Sequence, residues 1–207
     1  MPRHDTTGHE PPRRRADAER SIASILDAAV DALGSDPDAS MAEIARRAGV
    51  VRATIYVHFP TREALLDAVT HRAVAEVAEV IDAAEPHRGD PADALARVVG
   101  ASWRRLGRYH ALVAINTQQH GDAELRERHS SVLAALEPLI ARGQVDGTFR
   151  ADVPAAWHLS MLLALIHAAS GELRAGRITD VDAEVALVAT ALGAMTGRPG
   201  LPTTLRR

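Results

Sequence analysis

Residues 41–66 read MAEIARRAGVVRATIYVHFPTREALL, and this stretch decides the fold of the N-terminal third of the chain. Ser40, just ahead of it, and Glu43 have the S-x-x-E spacing of a capping box, in which each side chain is expected to satisfy an orphan backbone N–H of the other. Ile44 and Ala45 give the first short helix an inward face. Ala48-Gly49-Val50 makes a turn, with glycine suited to a positive φ just past a helix end. Arg52 to Phe59 forms a second short helix, anchored by Ile55 and Phe59 at i, i+4. Pro60 stops it, because proline disfavours helical geometry in the residue before it. Thr61 caps a long helix expected to run through Leu65, Leu66, Val69, Val77 and Ile81 to about Ala84.

Two short helices joined by a tight turn let the second stand proud of its support. A projecting helix fits the DNA major groove, where each base pair shows a distinct donor and acceptor pattern. Arg52, at the front of that helix, can fork onto guanine, and Thr54 offers a hydroxyl and a methyl. Tyr56 can place its hydroxyl, and Arg62 its charge, against the phosphate backbone. The whole chain carries a net charge of -3, which alone argues against nucleic acid. The window from Ser40 to Arg62, however, holds four arginines and one acid and is net +3. A DNA footprint is a local patch, which the global sum hides.

Gly49-Val50, Thr54-Ile55-Tyr56, His58-Phe59 and Arg62-Glu63-Ala64-Leu65 resemble the signature of the TetR family of transcriptional regulators. The upstream helix of Ile22, Ala29 and Leu33, and the pair Ile44-Ala45, match as well. The resemblance covers roughly the first third of the chain; beyond it the match is one of layout. It implies that Arg52, Ala53 and Thr54 lie where the recognition helix meets bases. It also implies that Tyr56, His58 and Arg62 contact DNA, with Tyr56 and Arg62 mainly on phosphates. Four positions depart from the family pattern. Val51 replaces a small polar residue, Ala53 stands where glycine is commonest, Arg62 replaces lysine, and Met41 replaces a threonine or serine. These departures bear on which operator is read.

The rest of the 207 residues is also patterned for helices, and the fold class is all-α: a three-helix helix-turn-helix module followed by a helical ligand-binding and dimerisation domain. Residues 1–16 are rich in Pro, His, Arg and Thr without period and are expected to be a disordered tail. Residues 17–75 are expected to form the DNA-binding domain and 76–207 the second domain. Ile22, Ile25, Leu26, Ala29, Val30 and Leu33 mark the first helix. Later helices are expected from Pro91, from Tyr109 to about Thr117, from about Asp122 to Arg142, from about Pro154 to Ala175 and from about Asp180 to Met195, with Gly143 to Val153 as a turn or irregular connection. Val153 to Gly171 carries no formal charge and approaches a membrane span in length, but Pro154, His158, Ser160 and His167 favour a helix buried in protein. The chain has no cysteine, which excludes disulfides and thiol chemistry. MPRHDTTGHEPPRRR lacks the apolar core of a signal peptide, so a cytoplasmic location is expected.

Trp103, Tyr109, His110, Asn116, Gln118, Trp157, His158, Met161 and His167 are the large or polar residues on otherwise apolar helices. They are the candidates to line a ligand pocket of apolar walls with a few placed polar groups. His158 and His167 are nine residues apart, on different faces of one helix, and make a poor metal pair. No metal and no cofactor are expected. The resemblance implies a homodimer, joined through the last two helices, that binds a palindromic double-stranded operator and is released from it by a small apolar molecule. The alternative is a small helical enzyme on an apolar substrate, with a vestigial DNA-binding module and His110, His158 or His167 as base. A third reading is a ligand-blind DNA-packaging protein.

Overall fold

A computed structural model describes residues 12–119 and 121–197, with the backbone alone for 12–15, 114, 116–119 and 122. Those residues contain no strand. Helix α1 spans Pro12–Ser35, α2 Met41–Arg47, α3 Arg52–His58 and α4 Arg62–Ala83. Then come α5 Pro91–Leu106, a 3-10 turn Gly107–Tyr109, α6 His110–Gln119, α7 Asp122–Arg128, α8 Ser130–Val145, α9 Ala155–Arg174 and α10 Asp180–Thr196.

The helix ends follow local chemistry. α1 begins at Pro12, inside the stretch expected as a tail, because proline's missing N–H costs nothing in a first turn. Residues 1–11 of that expected tail lie outside the described residues. Ser40 caps α2 by accepting from the Glu43 N–H at 3.2 Å. The reciprocal half of the expected capping box is replaced: the Glu43 carboxylate accepts from Arg46 and Arg47 instead. After α2 the Gly49 N–H reaches Arg46 O and the Val50 N–H reaches Ala45 O, a closing motif that needs the φ of +68° at Gly49. Thr61 Oγ1 accepts from the Ala64 N–H at 3.1 Å to start α4. Asp90 does the same for α5, from the N–H groups of Ala92 and Asp93.

The chain divides into two compact units, Met1–Val69 and Thr70–Arg207. The division falls inside α4, earlier than the expected 75, since no break in the helix marks it. The core of the N-terminal unit joins Ile25, Ala29 and Leu33 of α1, Ile44 and Ala45 of α2, Ile55 of α3, Phe59, and Leu65 and Val69 of α4. In the C-terminal unit α5 packs on α8 and α10, and α9 on α6, α8 and α10. Leu95, Val98, Trp103, Leu139, Ile140, Leu159, Leu162, Leu187 and Met195 are buried there.

The single helix expected over 122–142 is two helices that meet at His129, whose ψ of 10° breaks the first. The break has a local cause. The His129 ring donates Nδ1–H to Leu125 O at 2.7 Å, the same carbonyl that accepts its backbone N–H at 3.1 Å. The irregular segment after α8 is pinned rather than loose. The Gln144 amide donates to Arg150 O and Val153 O, His158 Nε2 donates to Arg150 O, and the Arg150 N–H donates to Met195 O. Phe149, from the same segment, is buried in the core directly against Gly143.

A Cβ at Gly143 would stand 2.1 Å from Phe149 Cδ2, an impossible contact. Gly143→Ala is therefore expected to destabilise the chain by about 1–3 kcal/mol through displacement of Phe149. Urea unfolding measures this, and an unchanged midpoint would contradict the packing.

Candidate nucleic-acid interface and ligand chamber

α3 is only seven residues long, and Ile55 is its one wholly buried side chain, backed by Phe59 just beyond its end. Every other position is thereby turned outward or left half-covered. Arg52 and Ala53 are exposed, Thr54 and His58 are half-buried, Tyr56 is 39% exposed and Val57 77%. The Arg52 guanidinium lies over the Tyr56 ring, 5.7 Å from its centroid, which pre-orders a long side chain at the helix front. His58 tilts against Phe59 at 6.4 Å. Val51 occupies the N-cap of α3 and gives it no side-chain hydrogen bond, as its apolar character dictates.

Arg62 has work inside the protein. Its guanidinium donates to Ala39 O and, at 2.6 Å, to Pro37 O, bracing the loop between α1 and α2 against the first turn of α4. The phosphate contact expected of this residue must share the guanidinium with that brace. The local charge is likewise structured. Glu43 takes both Nε and Nη2 of Arg46, at 2.9 and 2.6 Å, and Arg47 Nε at 2.8 Å. Those hydrogen bonds, Arg46 foremost, hold the Glu43 carboxyl down to about 2.

Within the C-terminal unit, α4, α5, α6, α8 and α9 enclose a narrow apolar chamber with about 530 Å³ of empty space, part of it open to solvent. Its wall includes Thr70, Val74, Val77, Leu106, Leu112, Val132, Leu163 and Ile166, together with Tyr109, His129 and His167. Of the sequence candidates, Tyr109 and His167 therefore reach it. Trp157, Met161 and His167 line a broader open groove between α7 and α9, which shares Leu163 and His167 with the chamber. Trp103, His110 and His158 are engaged elsewhere. Trp103 Nε1 donates to Asp180 Oδ1 at 3.0 Å, and the His110 ring stacks on Trp103 with centroids 4.3 Å apart. His110 Nδ1 and Ser170 Oγ share a hydrogen bond of 3.0 Å. His158 is buried against the segment it pins. The side chains of Asn116 and Gln118 lie outside the described residues.

His129 was missed by the sequence reading. Its signal was its spacing, four after Leu125 and three before Val132, on one face of what looked like a continuous helix. It meets His167 edge-on at 5.6 Å. Burial lowers the pKa of His129, and burial with His129 alongside lowers that of His167 to about 4. Tyr109 donates its hydroxyl to Glu76 Oε2 at 2.8 Å, and Arg105 holds the same oxygen at 3.1 Å.

The buried Ser170 and His110, with the exposed Asp180 beyond them, have the order of a nucleophile, a base and an orienting acid. Ser170 has no exposed surface, however, and the 3.8 Å from His110 Nε2 to Asp180 Oδ1 is too long for a hydrogen bond. With Trp103 the group ties α5, α6, α9 and α10 together, and its hydroxyl is closed to a substrate. Among the described residues no helix is long and apolar enough to cross a membrane. α9, expected to be covered on all sides, leaves a face open through Trp157 (62% exposed), Ala164 and Ala168.

Residues 25–69 match the model of the bacterial regulatory proteins, tetR family. The chain is 31% identical over 150 residues to the HTH-type transcriptional repressor LfrR of Mycolicibacterium smegmatis, covering 72% of this chain and 77% of that one. It is 29% identical over 166 residues to the HTH-type transcriptional regulator NfxB of Pseudomonas aeruginosa, covering 77% and 83%. The crystal structure of LfrR in complex with proflavine superposes with a TM-score of 0.69 at 26% identity, over 85% of this chain and 96% of that one. The FadR regulator of Bacillus subtilis, crystallised with stearoyl-CoA, shares the fold with a TM-score of 0.67 at 20% identity, over 83% and 98%.

Two measurements test this geometry. Arg62→Lys keeps the charge but loses the planar fork, so the unfolding free energy is expected to fall by about 1–2 kcal/mol. Equal stability would leave the brace without weight. His167 has its folded pKa at about 4, below its unfolded value near 6.5. Between those values the unfolded chain takes a proton that the folded chain refuses. Stability is therefore present above pH 6.5 and lost as pH falls, by at most about 3 kcal/mol, with His129 and His110 acting in the same direction. Denaturant curves of His167→Leu are expected to fall less steeply from pH 6.5 to 4.5 than those of the parent. Parallel pH profiles would show that this imidazole is not held neutral.

Proposed function

The chain belongs to the TetR family of bacterial transcriptional regulators and is not an enzyme, and from that premise we propose a repressor that a small apolar molecule releases from a palindromic operator. The observation that carries the reading is α3. It is a short helix with one wholly buried residue, whose remaining surface offers Arg52, Ala53, Thr54 and Tyr56 outward. In this reading Arg52, Ala53 and Thr54 read base edges, while Tyr56, His58 and the part of Arg62 not engaged on the loop position the module on phosphates.

A palindrome needs two copies. The exposed apolar residues Trp157 of α9 and Val181 and Val185 of α10 support dimerisation through those helices. Two recognition helices of such a dimer would sit about 34–36 Å apart, one turn of DNA. The apolar chamber supports ligand control, as does the LfrR relative crystallised with proflavine. A ligand that prefers the non-binding spacing lowers operator affinity by its differential affinity for the two states and by no more. The cytoplasm is where such a regulator meets its operator.

The test is to select bound sequences from random DNA and then screen compounds for release of the selected site. Sequence-specific, two-fold symmetric sites are expected, with Arg52→Ala relaxing preference at one position of each half-site and costing about 1–3 kcal/mol. Binding without sequence preference would favour a packaging protein. A stable monomer by sedimentation at micromolar concentration would remove the palindrome.

A further inference from the structure

Building on the ligand reading above, we propose that the chamber selects an uncharged apolar molecule bearing one hydrogen-bond donor, a hydroxyl or an amide N–H, which His129 Nε2 accepts. The tautomer follows from the His129 contact with Leu125 O. A carbonyl oxygen can only accept, so Nδ1 carries the ring hydrogen, and a neutral imidazole then leaves Nε2 as a bare acceptor. The ring is part of the chamber wall, and its Nδ1 edge is already engaged by its own helix. The edge left for an occupant is the Nε2 edge.

The charge of the occupant is limited by what surrounds it. Among the described residues, no Asp, Glu, Arg or Lys belongs to the chamber wall. The Glu76 carboxylate takes the Tyr109 hydroxyl and is held by Arg105 at 3.1 Å and Arg72 at 3.7 Å. A cation would enter apolar surroundings without a counter-ion, and an anion would meet imidazoles that burial keeps neutral. Val77, Leu112 and Ile166 offer only dispersion and water exclusion. Orientation therefore falls to the polar groups of the wall, of which His129 has its donor spent and its acceptor defined.

Three naphthalenes of one shape separate the possibilities by calorimetric titration at pH 7.5: 2-naphthol, 2-methoxynaphthalene and 2-naphthylmethylammonium. The naphthol is expected to bind about ten-fold tighter than its ether, which lacks the donor. The ammonium is expected to bind about a hundred-fold weaker than the naphthol. In His129→Phe, which keeps a ring and removes the acceptor, naphthol and ether should bind alike. ¹⁵N spectra of histidine-labelled parent protein give a second readout that needs no variant. The His129 Nε2 signal should move upfield with naphthol and stay in place with the ether. Equal binding of naphthol and ether to the parent, an unmoved Nε2 signal, or tight binding of the ammonium would overturn the inference and leave the ligand reading standing. If no naphthalene binds while the wider compound screen releases the operator, the inference falls and the ligand reading stands.

Discussion

Seven residues of helix are too few to hold together in water, so α3 exists only because Ile55 is driven into a core built by other helices. That single constraint organises the N-terminal unit. One buried position, with Phe59 behind it, fixes the rotation of the helix about its own axis. Rotation in turn decides which side chains face outward. A longer helix could share its anchoring among several turns, but here a change at Ile55 would misdirect every outward-facing side chain at once. The surrounding devices serve the same end. Ser40, Gly49 and Thr61 set where each helix starts and stops, and Arg62 closes the loop between α1 and α2 through two carbonyls.

The C-terminal unit solves a different problem, the placing of polar groups in an apolar interior. Trp103, His110 and Ser170 are all buried, and each has a partner: Asp180 for the indole, and the imidazole and hydroxyl for one another. The three link four helices through directional contacts, which apolar packing alone does not supply. The chamber is bounded on another side by Tyr109, whose hydroxyl is drawn away from the space by Glu76. The result is a cavity whose walls are greasy because the polar ends of its larger residues are already employed elsewhere.

Much of this was legible in the residues. The helix class, the turn at Gly49, the Thr61 cap and the anchors Ile55 and Phe59 follow from periodicity and capping chemistry, which act within a few residues. What was not legible depends on contacts between distant segments. Arg62 binds the carbonyls of Pro37 and Ala39, and every residue has a carbonyl, so no letter in the sequence marks the target. The break at His129 has neither proline nor glycine to announce it and arises from a side chain competing for its own helix's acceptor. Phe149 sits in a stretch with the composition of a loop, and only the empty space at Gly143 makes it a core residue. Trp103 and His110, read as candidates to line a pocket, are both buried. Helical period carried no information on whether they would meet a cavity or Asp180.

The clamp of Arg46 and Arg47 on Glu43 changes how the positive patch is counted. An arginine paired with a carboxylate carries little of the counter-ion exchange that draws a free cation to any stretch of phosphate. Glu43 sets one negative charge against two guanidiniums, so the trio keeps a net +1 and makes up the window's +3 together with Arg52 and Arg62. Glu43 thereby distributes the patch: part of its positive charge is fixed on α2 by hydrogen bonds, and the remainder sits on Arg52 at the front of α3 and Arg62 at the start of α4.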